Sequence, residues 1–114
     1  MVNPKDNRTS RSDGKKGGEK MATYLMFGNY SMDSVKEISE KRTEKALALI
    51  EKNGGKVLSG YALLGKTDLV LVLDFADNAQ AMKTSVALSR LLGVSFTTAP
   101  AMSFEEFDSL MGTL

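Results

Sequence analysis

The stretch that decides the fold covers residues 56–75 and reads KVLSGYALLGKTDLVLVLDF. Within it, residues 60–67 (GYALLGKT) match the GxxxxGK[ST] pattern of phosphate-binding P-loops. A P-loop joins a strand to a helix, because the helix N-terminus and the loop amides together hold the phosphates. Here an apolar run rich in Leu and Val follows at residues 68–75, so the stretch predicts a β-hairpin that turns at residues 65–67. We therefore expect this loop to bind no nucleotide.

Strands and helices alternate on both sides of this hairpin. Residues 23–30 are aromatic and apolar and predict a first strand. Residues 31–52 have helical spacing, opened by Ser31 or by an SVKE capping box at residues 34–37 and closed by Asn53 and two glycines. A second helix is predicted between Asp77 and Gly93, then a fourth strand over residues 94–102 and a short helical turn over residues 104–111. The predicted order is βαββαβ plus that turn.

This order predicts an α+β ferredoxin-like sandwich: a four-stranded antiparallel sheet in the order 4-1-3-2, with both helices on one face. The two central strands are apolar on both faces, with Leu25 and Phe27 alternating with Tyr24 and Met26 in the first and continuous apolar residues over 69–73 in the third. A half-solvated antiparallel sheet should instead alternate apolar and polar residues. We therefore expect a second copy to cover the face away from the helices, giving a homodimer or a multiple of one. The alternative is an apolar patch on a monomer.

The composition excludes several kinds of chemistry. The chain has no Cys and no His, which rules out disulfides, thiolate nucleophiles, imidazole bases and zinc or iron sites built on these residues. We expect no metal and no cofactor. A membrane-spanning helix needs about 20 apolar residues, whereas residues 46–50 and 69–73 are the longest apolar runs. The first twenty residues also lack the apolar stretch of a secretory signal, so we expect a cytoplasmic protein with no membrane partner.

The net charge of +1 is unevenly distributed along the 114 residues. The first twenty residues carry six Lys or Arg and three Asp or Glu, which leaves nine basic and eleven acidic side chains for the rest. The main part of the chain therefore lacks the basic character of a nucleic-acid-binding domain, and we expect no nucleic-acid partner. Residues 1–21 predict a disordered tail or leader, or alternatively an arm for an anionic partner. Residues 22–112 predict the single folded domain.

Four segments together resemble the GYD-domain family of small bacterial and archaeal proteins. They read MATYLMFGNYS (21–31), EKRTEKALALIEKNGGKV (40–57), YALLGKTDLVLVLDF (61–75) and TTAPAMSFEEFDSL (97–110). The naming motif of the family consists of Gly, any residue, Tyr and Asp. It falls on residues 65–68, where Thr67 stands in place of the Tyr. The resemblance implies a ferredoxin-like fold of the dimeric α/β-barrel type, in which two sheets pack face to face. It implies no established activity.

One charged residue lies where the helical spacing predicts an apolar surface. A projection at 100° per residue places Arg42 near the middle of a face formed by apolar side chains of the first helix. That face contains Val35, Ile38, Ala46, Leu49 and Ile50. In a structural interpretation, Arg42 pairs with a carboxylate, for which Asp68 and Asp74 are candidates, or with helix-end carbonyls, or it extends its charged end to solvent. In a functional interpretation, it binds a small anionic metabolite in a cleft. We keep both interpretations.

Three further side chains complete the set of ligand-binding candidates. Asp68 fits a hairpin cap or an ion-pair partner, with a catalytic base as the alternative. Tyr61 and Tyr24 fit aromatic residues of the sheet or of an interface, and a hydroxyl among them could meet a ligand.

Two functions of different class fit these residues. A small-molecule binding or sensing module needs a cavity with one or two polar groups. A cofactor-free enzyme, similar to a monooxygenase or isomerase, needs a carboxylate or Tyr held against a dry pocket. The absence of His favours the binding module. A purely structural oligomeric subunit is the third alternative.

Overall fold

The computed structural model describes residues 20–114 of the chain. The disordered tail or leader predicted for residues 1–21 lies almost entirely outside the described residues. The elements follow one another as β1 (Ala22–Tyr30), α1 (Met32–Lys36), α2 (Glu40–Lys52), β2 (Lys56–Ala62), β3 (Leu69–Phe75), α3 (Asn78–Leu92), β4 (Val94–Ala101) and α4 (Phe104–Met111). Within this part of the chain, no helix is both long and apolar enough to cross a membrane.

The four strands form one antiparallel sheet in the order β2-β3-β1-β4. This is the predicted ferredoxin-like arrangement, with the first and third strands in the centre. In the central pair, Tyr24 lies opposite Leu73 and Leu25 lies opposite Val72. Successive residues of each strand point to opposite faces of the sheet, so Tyr24 and Leu73 lie on one face and Leu25 and Val72 on the other.

The hydrophobic core lies between one face of the sheet and helices α2 and α3. Its buried members come from the two central strands and both helices: Tyr24, Met26, Leu73, Phe75, Ile50, Ala81 and Leu88. The rings of Tyr24 and Phe75 meet edge to face with centroids 5.8 Å apart. Because α2 and α3 contribute to the same cluster, both helices cover the same face, which we call the covered face.

The single helix predicted over residues 31–52 is wrong. The structure has two helices, because two serines each cap one: the Ser31 side chain accepts from the backbone N–H of Ser34, and the Ser39 side chain accepts from that of Arg42. A serine inside a helix competes for backbone hydrogen bonds and favours such caps. The break turns Val35 and Ile38 outward, where they are 49% and 53% exposed, rather than onto a common apolar face with Ile50.

The hairpin predicted from residues 56–75 is present, with a longer loop than the sequence indicated. β2 ends at Ala62 and β3 begins at Leu69, and the backbone N–H of Leu63 still bonds the Asp68 carbonyl at 2.8 Å. Gly65 has a φ of 131°, a value that favours glycine. A strand and not a helix follows the GKT sequence, so the loop lacks the helix N-terminus on which a P-loop depends.

Candidate functional site

The candidate functional site is the second face of the sheet, which we call the open face. Its apolar centre is formed by alternate residues of three strands, namely Leu25, Phe27, Val70, Val72 and Ala99. All five side chains are partly exposed, whereas Met26 and Leu73, their neighbours on the covered face, are fully buried.

No helix of residues 20–114 covers the open face. α2 and α3 bury side chains in the core on the opposite side, α1 buries only Ser34, and α4 has no buried residue. Covering a contiguous apolar surface on the central strands of a sheet lowers the free energy, because burial removes that surface from water. This surface is therefore the candidate site.

Polar side chains lie at one end and along one edge of the open face. The Thr23 hydroxyl donates to Asp74 Oδ1 at 2.8 Å, and Lys56 lies opposite Asp74 in the register of β2 with β3. Along the β2 edge, Tyr61 lies opposite Val70 and is 61% exposed. The open face thus combines an apolar centre with a few polar groups at its margin.

Arg42 lies at a different place, where α1, α2 and the end of α3 meet. Its Nη1 donates to the Ser34 carbonyl at 3.0 Å, to the Ser34 hydroxyl at 3.2 Å and to the Leu92 carbonyl at 3.4 Å. The guanidinium carbon also lies 6.0 Å from the centre of the Tyr30 ring. These are helix-end oxygens and an aromatic face rather than Asp68 or Asp74, the acids that the sequence offered.

Asp68 acts as a backbone cap in this structure. Its Oδ2 accepts a hydrogen bond from the backbone N–H of Tyr30 at 2.9 Å, and its own N–H donates to the Gly28 carbonyl at 2.9 Å. These two bonds fasten the hairpin loop to the end of β1. Arg42 and Asp68 therefore both contact Tyr30, one through the ring and the other through the backbone.

Tyr24 lies in the core, not on the open face. It is 3% exposed, and its hydroxyl donates to Asn78 Oδ1 at 2.6 Å near the start of α3. Of the four sequence candidates, only Tyr61 belongs to the open face. Arg42 and Asp68 share Tyr30 as a neighbour, whereas Tyr24 and Tyr61 lie elsewhere, so the four do not form one site.

Two groups of the site were missed by sequence reasoning. Ser34 joins α1 to the end of α3, since its hydroxyl donates to the Leu92 carbonyl at 2.6 Å. The pairing of Thr23 with Asp74 joins two strands across the open face. A threonine and an aspartate in strands predicted to be adjacent were the available signal for the second pair. Within residues 20–114, no three acidic side chains come together as a metal site.

The profile of the GYD domain matches residues 24–111. The chain belongs to the GYD-domain family. No curated protein matches the chain. Residues 65–68, which carry the naming motif of the GYD family, lie in the loop between β2 and β3. Asp68 of this motif makes the two hydrogen bonds to β1 described above.

Solved structures similar to this GYD domain support the same fold. The leucine response regulatory protein LrpA of Mycobacterium tuberculosis superposes with a TM-score of 0.52 at 12% identity, covering 86% of this chain and 61% of that one. A second structure, of a Glu-to-Ala mutant protein, gives a TM-score of 0.52 at 13% identity and covers 86% of this chain and 60% of that one. The GYD chain thus spans less than two thirds of either structure, and the likeness concerns the ferredoxin-like fold alone.

Proposed function

We propose that this GYD domain is a small-molecule binding module that works as a homodimer, or a multiple of one, through its open face. The observation that carries the proposal is the row of partly exposed apolar side chains on β1 and β3, with no helix over it. When two copies are related by a two-fold axis, the open face of one packs against the open face of the other. The same apolar surface therefore supplies both sides of the contact.

The hydrophobic effect favours this contact. Fully burying a Val, Leu or Phe side chain contributes about 1.5–3 kcal/mol relative to leaving it exposed. Leu25, Phe27, Val70 and Val72 are already partly buried by their neighbours, so each contributes a fraction of that value. Two copies double the number of side chains that contribute against the entropy that association costs.

A ligand between two such sheets would meet an apolar centre and polar margins. Tyr61 offers a hydroxyl at the β2 edge, while Thr23, Asp74 and Lys56 offer polar atoms at one end. These groups suit a small organic molecule with an apolar body and one polar or charged end. LrpA is named for a response to leucine, so amino acids are the first ligand class to screen.

Arg42 offers a second candidate site, separate from the open face, for a small anion. The bonds that it makes to Ser34 and Leu92 all use Nη1, while Arg has five N–H donors in its guanidinium. Its side chain is partly exposed. We therefore keep a small anionic metabolite as a candidate ligand beside Arg42, to be tested separately from the open face.

The test is native mass spectrometry of the purified protein and of two variants. Phe27→Lys places a charge in the centre of the open face, and Met82→Lys is the control, because Met82 is a 69% exposed apolar residue of α3. We expect wild type and Met82→Lys to retain an even number of subunits and to bind added small molecules. We expect Phe27→Lys to form smaller assemblies and to lose this binding. Ligand binding that survives in a folded Phe27→Lys protein that has lost the sheet-face contact would contradict the proposal.

A further inference from the structure

The C-terminal helix α4 has an apolar side that its own chain leaves exposed. Its apolar side chains fall on one side of the helix at helical spacing, namely Phe104, Phe107, Leu110 and Met111. All four are exposed, from 37% for Met111 to 87% for Phe104. α4 makes no extended contact with any other element of residues 20–114. An amphipathic helix of this kind is stable when another surface covers its apolar side.

The polar side of α4 is acidic. In the sequence FEEFDSLM, the projection places Glu106 and Asp108 on either side of the apolar stripe and Glu105 opposite it. α4 has no basic residue. A partner surface should therefore be an apolar groove with basic margins, about 12 Å long to match eight helical residues.

The groove between α2 and α3 has this composition. Its floor consists of small and aliphatic side chains, namely Ala48, Leu49, Ala87 and Leu91. Its margins are basic on both sides, with Lys45 and Lys52 on α2 and Arg90 on α3.

None of the side chains that line this groove is acidic. α3 contains no Asp or Glu along its fifteen residues. On α2, the helical spacing turns Glu44 and Glu51 about 100° or more away from Lys45 and Leu49, although both lie within about 60° of Ala48. The lining residues therefore carry one sign of charge around an apolar floor.

We propose that α4 of one copy docks in the α2–α3 groove of another copy. The apolar side of α4 meets the apolar floor, and its flanking carboxylates meet the basic margins, so shape and charge agree on both sides of the contact. The groove lies on the outer side of the helix layer, away from the open face. The contact is therefore compatible with the sheet-face dimer and independent of it.

Such a contact joins two different surfaces and is heterologous. It generates a closed ring where the rotation between copies closes and a chain of copies where it does not. Combined with sheet-face dimers, it produces assemblies larger than two subunits. The proposal concerns assembly and does not depend on the identity of any ligand.

The test is light scattering coupled to size exclusion over a range of concentrations, with circular dichroism to verify folding. Phe107→Ala should leave the domain folded, because α4 contributes nothing to the core, and should weaken the larger assembly by on the order of tenfold or more. Asp108→Lys, Lys45→Glu and Arg90→Glu should each weaken it several-fold. Lys66→Glu, an equal change of charge in the hairpin loop, should leave the assembly unchanged.

Combining the charge reversals makes the test specific for this pair of surfaces. Asp108→Lys joined with either Lys45→Glu or Arg90→Glu should restore the assembly, and the combination that succeeds gives the direction of α4 in the groove. The proposal is overturned if wild type is a single subunit at every concentration, if Phe107→Ala has no effect on the assembly, or if neither combination restores what the single reversals remove. Phe27→Lys, which acts on the open face, should leave the α4 contact intact.

Discussion

The covered face and the open face of the sheet are built from the same strands, and alternate residues of one strand belong to each. Met26 is fully buried beneath the helices, while Leu25 and Phe27 on either side of it are partly exposed. The apolar character is similar on both faces, but only one has a cover within the described chain. The comparison separates two requirements on one sequence: the covered face stabilises the monomer, and the open face is available for assembly and binding.

The largest loss of stability is expected from a substitution on the covered face. Phe75→Ala removes a fully buried ring that packs against Tyr24, and it should lower the free energy of unfolding by about 3–5 kcal/mol. Phe27→Ala is the matched change on the open face and should cost the monomer far less. Urea unfolding of both variants at low protein concentration measures the difference. Equal losses would mean that both faces contribute alike to the monomer.

A smaller effect is expected at the end of the helix layer. Arg42→Met removes the bonds from Nη1 to Ser34 and Leu92 and should lower stability by about 1–3 kcal/mol. Arg42→Lys is the control that keeps the charge.

The same pair of variants tests the anion site. Melting temperatures of wild type and Arg42→Met are compared with and without a panel of small carboxylates and phosphates. An anion-dependent rise in wild type that Arg42→Met abolishes supports a ligand beside Arg42. No rise in wild type, together with a destabilised mutant, assigns Arg42 to structure alone.

Two tyrosines sharpen the comparison further. Tyr24→Phe removes a buried hydroxyl bonded to Asn78 and should cost about 0.5–1.5 kcal/mol. Tyr61→Phe changes a 61% exposed residue at the margin of the open face, so it should leave unfolding unchanged and alter only ligand binding. Thermal unfolding of the two variants side by side provides the measurement. A destabilised Tyr61→Phe monomer would contradict this assignment.

In the hairpin loop we expect no nucleotide binding. Isothermal titration of ATP or GTP with magnesium should give no binding, because β3 follows the loop and no helix N-terminus faces it. Lys66→Ala should change nothing. Micromolar binding that this mutation abolishes would overturn the assignment of residues 60–67 to a hairpin.

The sequence was sufficient for the strand order and most helix ends, since these depend on local periodicity and on caps such as Asp77 and Gly93. It was insufficient for the break between α1 and α2, because Ser39 can stand inside a helix or cap one and only tertiary packing decides. The two-residue alternation along each strand also showed which side chains share a face of the sheet. It did not show which of the two faces the helices cover. That ambiguity is why Tyr24 was a ligand candidate although it lies in the core.

The site was harder to predict because its contacts join distant parts of the chain. Arg42 and Leu92 are 50 residues apart, and Thr23 and Asp74 are 51 apart. A helical projection placed Arg42 on a face but gave no information about the carbonyl that ends another helix. The sequence left a carboxylate and helix-end carbonyls open as partners, and the structure uses neutral oxygens at 3.0–3.4 Å.

The central claim is that a second copy covers the open face, and the mass of the wild-type protein in solution tests it most directly. Light scattering coupled to size exclusion should give two subunits or a multiple of two across the concentration range. A folded variant that carries Phe27→Lys together with Phe107→Ala should give a single subunit, because the second change also weakens the α4 contact. A wild-type protein that remains a single subunit at every concentration would contradict the claim.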